Sequence, residues 1–412
     1  MTYAQSVVEK LPQDIISKIL KCLPLHDAAK LCSISRAWFS AWKELHELRF
    51  DARFFAKVLK NKTPMAIEFC NIVSVILLSH VGPISGFYLC IPELKRSTAP
   101  DIGPWISFLS RSNIKDITIK NLQMPPLKLS YHLFSCLNLE KLTLDNCVLN
   151  LLPSFNVLRY LKSIEFERVM FMGNSLTDFI ASCTILQSLT LKNCTGFEYI
   201  DIVAPNLKYL TVSGKFESVY LRSAANLICL SVTLEEMVVN YQSARTCDLI
   251  GYLSLSCNIE KVSFGGHFCK FLTAGKIRRI SLKYFRFLKS LQLSNIETND
   301  PDEFFWVLEM IKGCPVVEDL KISFSSTDST EHINAFDRRC QFSRLRKVHL
   351  SSVSGVTMEL KLIEFLLRCS PTLETMHVVK DVNITDALES RLTRELMYYC
   401  RASRKAKVVY VD

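Results

Sequence analysis

"NLEKLTLDNCVL", residues 138–149, carries leucine or cysteine at every position that the repeat template L-x-x-L-x-L-x-x-N/C-x-L requires. Leu139, Leu142, Leu144, Cys147 and Leu149 fill those positions. The template residues point into a core, while the x positions of the strand face outward. One such unit cannot bury its apolar side alone, so further copies are expected to stack against it.

Copies of this pattern begin near residue 113 and continue almost to the end of the chain. "ILQSLTLKNCTGF" matches through Leu186, Leu189, Leu191 and Cys194, and weaker copies recur at intervals of 20 to 32 residues. The residues at the first template position are Ile114, Leu139, Leu161, Leu186, Leu207, Leu227, Ile259, Leu288, Val317, Leu345 and Leu373. A further near-copy from 276 lies too close to its neighbour, which leaves the register between 229 and 290 open.

Helix-like segments separate several of the strands, at 175–183, 302–314 and 358–369. The second begins with capping chemistry at Asp300 and ends at Gly313. Strand, turn and helix in repetition predict an α/β solenoid of leucine-rich repeats. A parallel β-sheet would form its concave face, and helices its convex face.

Basic side chains collect on the outward face of the last repeats. The final x position of the template is Lys321, His349 and His377 in three successive repeats, so adjacent strands would place these side chains in one row. Arg346 and Lys347 occupy neighbouring outward positions. This row is a candidate patch for a carboxylate or phosphate; the alternative is a solvated face where histidine is tolerated.

The stretch "LPQDIISKILKCLPLHDAAKLCSISRAWFSAW", residues 11–42, has a different pattern. Its spacing predicts three short helices, the second opened by Asp27 and the third by Ser35. So small a unit is not expected to hide two tryptophans and its many branched aliphatic side chains by itself. Either a separate protein or the chain's own repeats should cover them.

Charge and cysteine usage narrow the function classes. The net charge of +10 is concentrated in residues 1–60 and 391–412, each at +4, so the long middle carries only +2. That distribution makes nucleic-acid binding unlikely. The 16 cysteines form no Cys-x-x-Cys pair and are expected to be buried free thiols. No apolar run approaches the length of a membrane helix, so no membrane partner is expected.

No catalytic, cofactor-binding or metal-binding motif is present. The sequence lacks G-x-x-x-x-G-K-[ST], G-x-G-x-x-G, H-E-x-x-H and G-x-S-x-G, and 12 glycines leave little material for a phosphate-binding loop. We therefore expect a non-enzyme without cofactors, whose chemistry is recognition.

The N-terminal stretch resembles an F-box. Leu11-Pro12, Ile19-Leu20, Leu23-Pro24 and then "ISRAWFSAW" carry the resemblance. Segments 191–221, 287–322 and 342–378 are similar to plant F-box/leucine-rich-repeat proteins, and the last of these, with the tail "RASRKAKVVYVD", is similar to their FBD segment. The expected divisions are an F-box at 1–50, a linker with irregular repeats at 51–112, leucine-rich repeats at 113–330, and FBD-like repeats with a cap at 331–412.

The resemblance implies a substrate-recognition adaptor of an SCF-type cullin–RING ubiquitin ligase, in the cytoplasm or nucleus. The F-box would dock on a Skp-family linker, and through it on cullin and RING subunits, while the repeats hold a protein substrate that the sequence does not identify. The positions that match the family's linker contacts are Leu11, Pro12, Ile15, Ile19, Leu20, Leu23, Leu31 and Trp38. A small-molecule co-receptor is a variant of this function. A scaffold or nucleic-acid-associated protein outside such a complex is the alternative.

Overall fold

A computed structural model describes residues 11–32, 35–58, 66–94, 99–151, 158–173, 176–236, 258–274, 285–325 and 341–411. The chain forms two compact units, residues 1–197 and 198–412. Each unit contains a parallel sheet, so the predicted fold class is confirmed. The near-copy at 276 lies outside the described residues. The four predicted domain ranges stay a prediction.

Three short helices open the described chain: Gln13–Cys22 (α1), Leu25–Leu31 (α2) and Arg36–Lys43 (α3). The second begins at Leu25 and not at Asp27, because Pro24 stands at its N-cap and Asp27 falls in the first turn. The third begins after Ser35, as predicted. Helix α3 packs against both other helices.

The N-terminal unit continues with the strand Glu47–Phe50 (β1) and the helices Ala52–Val58 (α4) and Ala66–Ser79 (α5). Helix α2 contacts β1 and α4, and the Lys57 ammonium lies 2.7 Å from an Asp27 carboxylate oxygen. The bundle is thereby attached to the start of the sheet. Trp38 and Trp42 are 2% and 9% exposed, so, of the two expected covers for these side chains, the chain itself is the one present.

The main sheet of this unit is parallel and follows chain order, β1-β2-β3-β5-β7-β9. The remaining helices and strands of the unit are Gly86–Ile91 (β2), Gly103–Ser110 (α6), Asp116–Asn121 (β3), Leu127–Lys128 (β4), Lys141–Asp145 (β5), Cys147–Asn150 (β6), Ser163–Glu167 (β7), Met170–Met172 (β8), Leu176–Ser182 (α7) and Ser188–Lys192 (β9). A 3₁₀ helix spans Tyr131–Ser135, and β4, β6 and β8 form a second small sheet.

The C-terminal unit repeats the arrangement of a parallel sheet with intervening helices. Its parallel sheet runs β11-β13-β14-β15-β16-β17-β18-β19, and β10 pairs with β12. Its strands and helices are Tyr199–Val203 (β10), Tyr209–Gly214 (β11), Ser218–Ser223 (β12), Cys229–Leu234 (β13), Lys261–Gly266 (β14), Phe268–Ala274 (α8), Ser290–Glu297 (β15), Pro301–Lys312 (α9), Asp319–Ser325 (β16), Lys347–Val353 (β17), Thr357–Cys369 (α10), Thr375–Lys380 (β18), Asp386–Tyr398 (α11) and Lys407–Val411 (β19).

The repeat register is confirmed by burial. All eleven residues predicted at the first template position are at most 3% exposed.

Two asparagine side chains, one at the end of β3 and one just after β5, form a buried set of hydrogen bonds with backbone carbonyls. The side-chain amide of Asn121 donates to the carbonyls of Gln123, Pro125 and Asn146, and that of Asn146 donates to Asn121 and Gln123. This buried ladder ties one repeat to the next.

The helix predicted from the Asp300 cap is confirmed. The Asp300 carboxylate accepts hydrogen bonds from the backbone N–H groups of Asp302 and Glu303, and Pro301 occupies the first helical position. The predicted segments at 175–183 and 358–369 correspond to α7 and α10.

Candidate interaction surfaces

The eight predicted linker-contact residues divide into an accessible set and a buried pair. Ile15 is 37% exposed, and Leu20 and Trp38 are 1% and 2% exposed. Pro12 is exposed, and the partly exposed members are Leu11, Ile19, Leu23 and Leu31. In the free chain Leu20 and Trp38 lie in the interior, where they position the accessible set. The role of all eight in partner binding stays a prediction.

Phe39 adds an apolar side chain to the bundle surface. It is 47% exposed, and the Lys43 ammonium lies 4.4 Å from its ring centroid. Its position on α3, one residue after buried Trp38, places it on the outward side of that helix.

The predicted row on the sheet is in register. In the C-terminal unit Gln292 pairs with Lys321, Lys321 with His349, and His349 with His377. The ring centroids of the two histidines lie 6.1 Å apart. Lys321 and His349 are exposed and His377 is partly exposed, so all three present polar atoms to solvent. The sheet therefore brings together residues that lie 28 positions apart in sequence.

Arg346 and Lys347 flank this row, and both are exposed. No ion pair joins either residue to another residue in the described part of the chain. The Lys321 ammonium lies 3.9 Å from an Asp319 carboxylate oxygen, at the edge of an ion-pair contact. We call Lys321, Arg346, Lys347, His349 and His377 the basic row. Arg346 and Lys347, which make no ion pair within the described residues, are therefore the cations of the row most available to an anionic group. Its role in substrate binding stays a prediction.

Several charges outside the basic row are paired. In the N-terminal unit, Glu140 accepts hydrogen bonds from the ammonium groups of Lys162, at 2.6 Å, and Lys115, at 3.1 Å, and these cations lower the pKa of its carboxyl. In the C-terminal unit, the Lys289 ammonium lies 2.9 Å from Glu260. Such exposed pairs contribute little stability, but they reduce the local potential.

A groove on the outward face of the N-terminal sheet was not predicted from the sequence. Its volume is about 420 Å³, and Arg49, Tyr88, Asp116 and Thr143 are among its lining residues. Burial raises the pKa of Asp116, and the nearby Lys141 ammonium opposes that shift. Gly86 also lines the groove, and a Cβ added at Gly86 would lie 3.1 Å from the Cγ atom of Glu47. The strand "GFYLCI", residues 86–91, is apolar from Phe87 onward, so no alternation of polar and apolar residues in it marked the groove.

Several of the described cysteines are buried and unreactive. The described cysteines are free, and burial raises the pKa of Cys136, Cys147 and Cys314 to about 12. Thiols of that kind are inert structural side chains. Within the described ranges, no group of histidine, cysteine and carboxylate side chains could hold a metal ion. None of the described helices has the length and apolar character needed to span a bilayer.

Residues 391–412 contain six basic residues, of which Arg391 is partly exposed. The other five are exposed: Arg394, Arg401, Arg404, Lys405 and Lys407. An Arg401 guanidinium nitrogen donates to the Ala406 carbonyl at 3.0 Å, and an Arg391 nitrogen lies 3.3 Å from the Thr357 hydroxyl. Two of the six cations thus make local hydrogen bonds.

Comparisons with known proteins match both parts of this architecture. Residues 102–322 match the family model described as "FBD-associated F-box protein At5g56370, LRR repeats", and residues 8–50 match the F-box domain. The F-box/FBD/LRR-repeat protein At1g13570 of Arabidopsis thaliana is 29% identical over 98% of this chain and 98% of its own length. The Arabidopsis F-box/LRR-repeat protein At3g26922 is 25% identical over 62% of this chain and 92% of its own.

Among solved structures, that of the LRR protein LIC12759 from Leptospira interrogans covers 79% of this chain and 88% of that chain. The TM-score is 0.32 and the identity 13%, a likeness from which neither fold nor function follows.

Proposed function

This chain belongs to the plant family of FBD-associated F-box proteins with leucine-rich repeats, and on that premise we propose that it is the substrate-recognition adaptor of an SCF-type cullin–RING ubiquitin ligase. The observation that carries the proposal is the joining, in one chain, of an F-box match at residues 8–50 to a repeat array matched at 102–322. F-box domains in general bind Skp-type proteins. The chain would act in the cytoplasm or nucleus.

The proposed mechanism is proximity. The F-box docks on a Skp-family linker, which joins cullin and RING subunits, and the repeats hold a protein substrate. Binding both raises the effective concentration of substrate lysines near the charged conjugating enzyme. The adaptor supplies no nucleophile in this mechanism, in agreement with the inert buried thiols.

The attachment of the F-box to the sheet supports such a role. Helix α2 contacts both β1 and α4, and the Lys57–Asp27 ion pair joins the bundle to the segment that follows it. This connection limits the orientations that the N-terminal sheet can take relative to a linker bound at the F-box, which reduces the entropy cost of productive geometry.

Binding to a purified Skp-family linker tests the proposal. Leu11→Ala/Pro12→Ala and Ile15→Asp alter the accessible set, and Met170→Asp is a matched control, because Met170 is 42% exposed and lies outside the bundle. We expect tight binding by the wild type and the control, and loss of binding by the bundle variants. A soluble, folded chain that does not bind the linker would remove the basis for an SCF role.

For the substrate, we propose the basic row as the contact for an acidic segment. Arg346 and Lys347 are exposed, and neither makes an ion pair within the described residues, so replacing both by glutamine should weaken binding of a deca-glutamate probe. Lys115→Gln/Lys162→Gln, in ion pairs on the other unit, is the control and should weaken binding less. Equal affinity in all three proteins would refute this assignment.

A further inference from the structure

We propose that the groove on the outward face of the N-terminal sheet is a binding site for a small, neutral, polyhydroxylated molecule, with the chemistry of a sugar. The groove lies within the N-terminal unit, and residues of β1, β2, β3, β5 and β7 line it. The ligand needs no second protein chain, so this site stands apart from the proposed ligase role.

The groove has a short-chained floor between longer side chains. Parallel pairing aligns Tyr88, Thr118 and Thr143 in one row across three strands. Arg49 and Glu165 continue that row on the two flanking strands and close its ends. The hollow between them has a volume of about 420 Å³, near the lower end of the range for small-molecule sites.

A glycine extends the hollow along β2. Gly86 lies two residues before Tyr88, on the same side of the strand, and it stands between Glu47 and Asp116 in the neighbouring row. Because Gly86 has no side chain, that row is open at its centre. The groove therefore crosses two adjacent rows of outward positions, which gives room for a ring-shaped ligand.

Two polar atoms of the groove lack hydrogen-bond partners among the described residues. Thr143 is only 7% exposed, and its Oγ1 atom is buried without a partner. On the adjacent strand the Oδ1 atom of Asp116 is also buried without a partner, while the Lys141 ammonium lies 3.9 Å from the other carboxylate oxygen. Unpaired buried polar atoms are costly, so two of them in one groove indicate a ligand that supplies the missing donor and acceptor.

The charges of the groove favour an uncharged ligand. Its lining residues include four cations and three carboxylates: Arg49, Lys115, Lys120, Lys141, Glu47, Asp116 and Glu165. A bound anion would be repelled by the three carboxylates, and a bound cation by the four positive groups. A sugar hydroxyl both donates and accepts, so it can bond to either kind, and hydrogen bonds to charged groups are the stronger class.

Lys120 and Glu165 are the charged side chains most available to such a ligand. Neither makes an ion pair with any residue in the described part of the chain. By contrast, the Lys115 ammonium lies 3.1 Å from Glu140, and Arg49 lies over the Tyr88 ring, 5.7 Å from its centroid. The groove thus offers one free donor and one free acceptor, with the hydroxyl groups of the floor between them.

Binding of neutral disaccharides to the full chain tests the inference. The probes are maltose, cellobiose and lactose, titrated by saturation-transfer NMR. Thr143→Val removes the floor hydroxyl and keeps the side-chain shape. Thr190→Val is the matched control, because Thr190 follows Glu165 in the same row and does not line the groove.

We expect at least one disaccharide to bind the wild type and the control with equal affinity, and Thr143→Val to raise the Kd roughly three- to tenfold. The thermal midpoint of Thr143→Val should be no lower than that of the wild type, since the hydroxyl it removes has no partner within the described chain. Loss of binding in a fully stable variant is a result that a purely structural threonine would not give.

A charge series and a glycoprotein pair complete the test. Glucose, glucuronate and glucosamine present one ring as a neutral, an anionic and a cationic ligand, and tighter binding of either charged form than of glucose overturns the inference. A high-mannose glycoprotein, compared with its deglycosylated form, separates a protein-borne glycan from a free sugar. Absence of binding by every neutral probe, or equal affinity in the wild type and Thr143→Val, also overturns it. None of these outcomes depends on linker binding.

Discussion

Glu303 should make the stability of the C-terminal unit fall as pH rises. Its side chain is 1% exposed in the first turn of α9. One carboxylate oxygen accepts a long hydrogen bond, 3.3 Å, from the Glu297 N–H, and the other has no hydrogen-bond partner among the described residues. Burial, with Glu297 and Asp300 adding repulsion, raises the pKa of the carboxyl from 4.5 to about 8.

The sign of the effect follows from proton binding. Because the pKa in the folded state lies above that in the unfolded chain, the folded state retains a proton that the unfolded chain releases. The contribution of protonated Glu303 to stability is fully present below about pH 4.5, and it is lost as the pH rises toward 8. The total shift corresponds to about 5 kcal/mol. Between about pH 5.5 and about pH 8.5, roughly 3 kcal/mol of it is lost.

Glu303→Gln removes the charge and keeps an acceptor for the Glu297 N–H. We expect the variant to gain about 3 kcal/mol over the wild type between those two pH values. Native-state hydrogen exchange of the α9 amides measures this difference, because intrinsic exchange rates cancel when both proteins are compared at one pH.

Two controls bracket the result. Glu359 is also 1% exposed, but one of its oxygens accepts backbone N–H bonds from Ser354 and Gly355, both at 2.8 Å, and burial raises its pKa only to about 7. Glu359→Gln, measured in α10, should therefore gain less, about 2 kcal/mol over the same range. Asp302→Asn changes an exposed carboxylate in the same turn as Glu303 and should gain nothing comparable. Parallel pH profiles for wild type and Glu303→Gln would refute the reasoning.

Three further changes test the packing of the N-terminal unit. Gly196→Ala should lower its thermal midpoint, because φ is +94° and the new Cβ would lie 2.0 Å from the Phe171 carbonyl oxygen; an unchanged midpoint would contradict this. Asn146→Ala should lower the free energy of unfolding, measured in urea, by about 2 to 4 kcal/mol, because two hydrogen bonds are lost and alanine is strained at a φ of +54°. Asn146→Gly should relieve that backbone strain but not restore the hydrogen bonds. Ser74→Ala should cost about 1 to 3 kcal/mol by leaving the Trp105 indole N–H unpaired, whereas Ser74→Thr should be tolerated; equal stability of both variants would count against the bond.

The repeats were predictable because their signal is local and redundant. Leu139, Leu142 and Leu144 reveal a strand by spacing alone, and the same spacing recurs until the register is fixed. The basic row followed from that register, since parallel pairing aligns equivalent positions. The strands Glu47–Phe50 and Gly86–Ile91 were not resolved as repeats, because their apolar residues do not follow the leucine template.

Features that depend on long-range packing were beyond the sequence. The sequence left open whether the chain itself or a separate protein covers Trp38 and Trp42, and only the fold shows both side chains buried within the chain. Glu303 looks in sequence like an ordinary first-turn acid, favourable at a helix N-terminus, and only the fold shows that it is enclosed. The exposed side of α5 was not predicted, because apolar residues of "NIVSVILLSHV" occur on every side of the helix and do not show which side faces water.

On the strands that carry Gln292, Lys321, His349 and His377, the side chains that face outward are distinct from those that form the core. The backbone ladder sets where each side chain stands, and the alternate residues on the same strands, such as Leu320 and Val348, carry the burial. Exchanging the outward side chains therefore changes the chemistry of the surface with little effect on the free energy of unfolding. Under the proposed substrate role, a combinatorial library restricted to these four positions would sample new specificities on an unchanged scaffold.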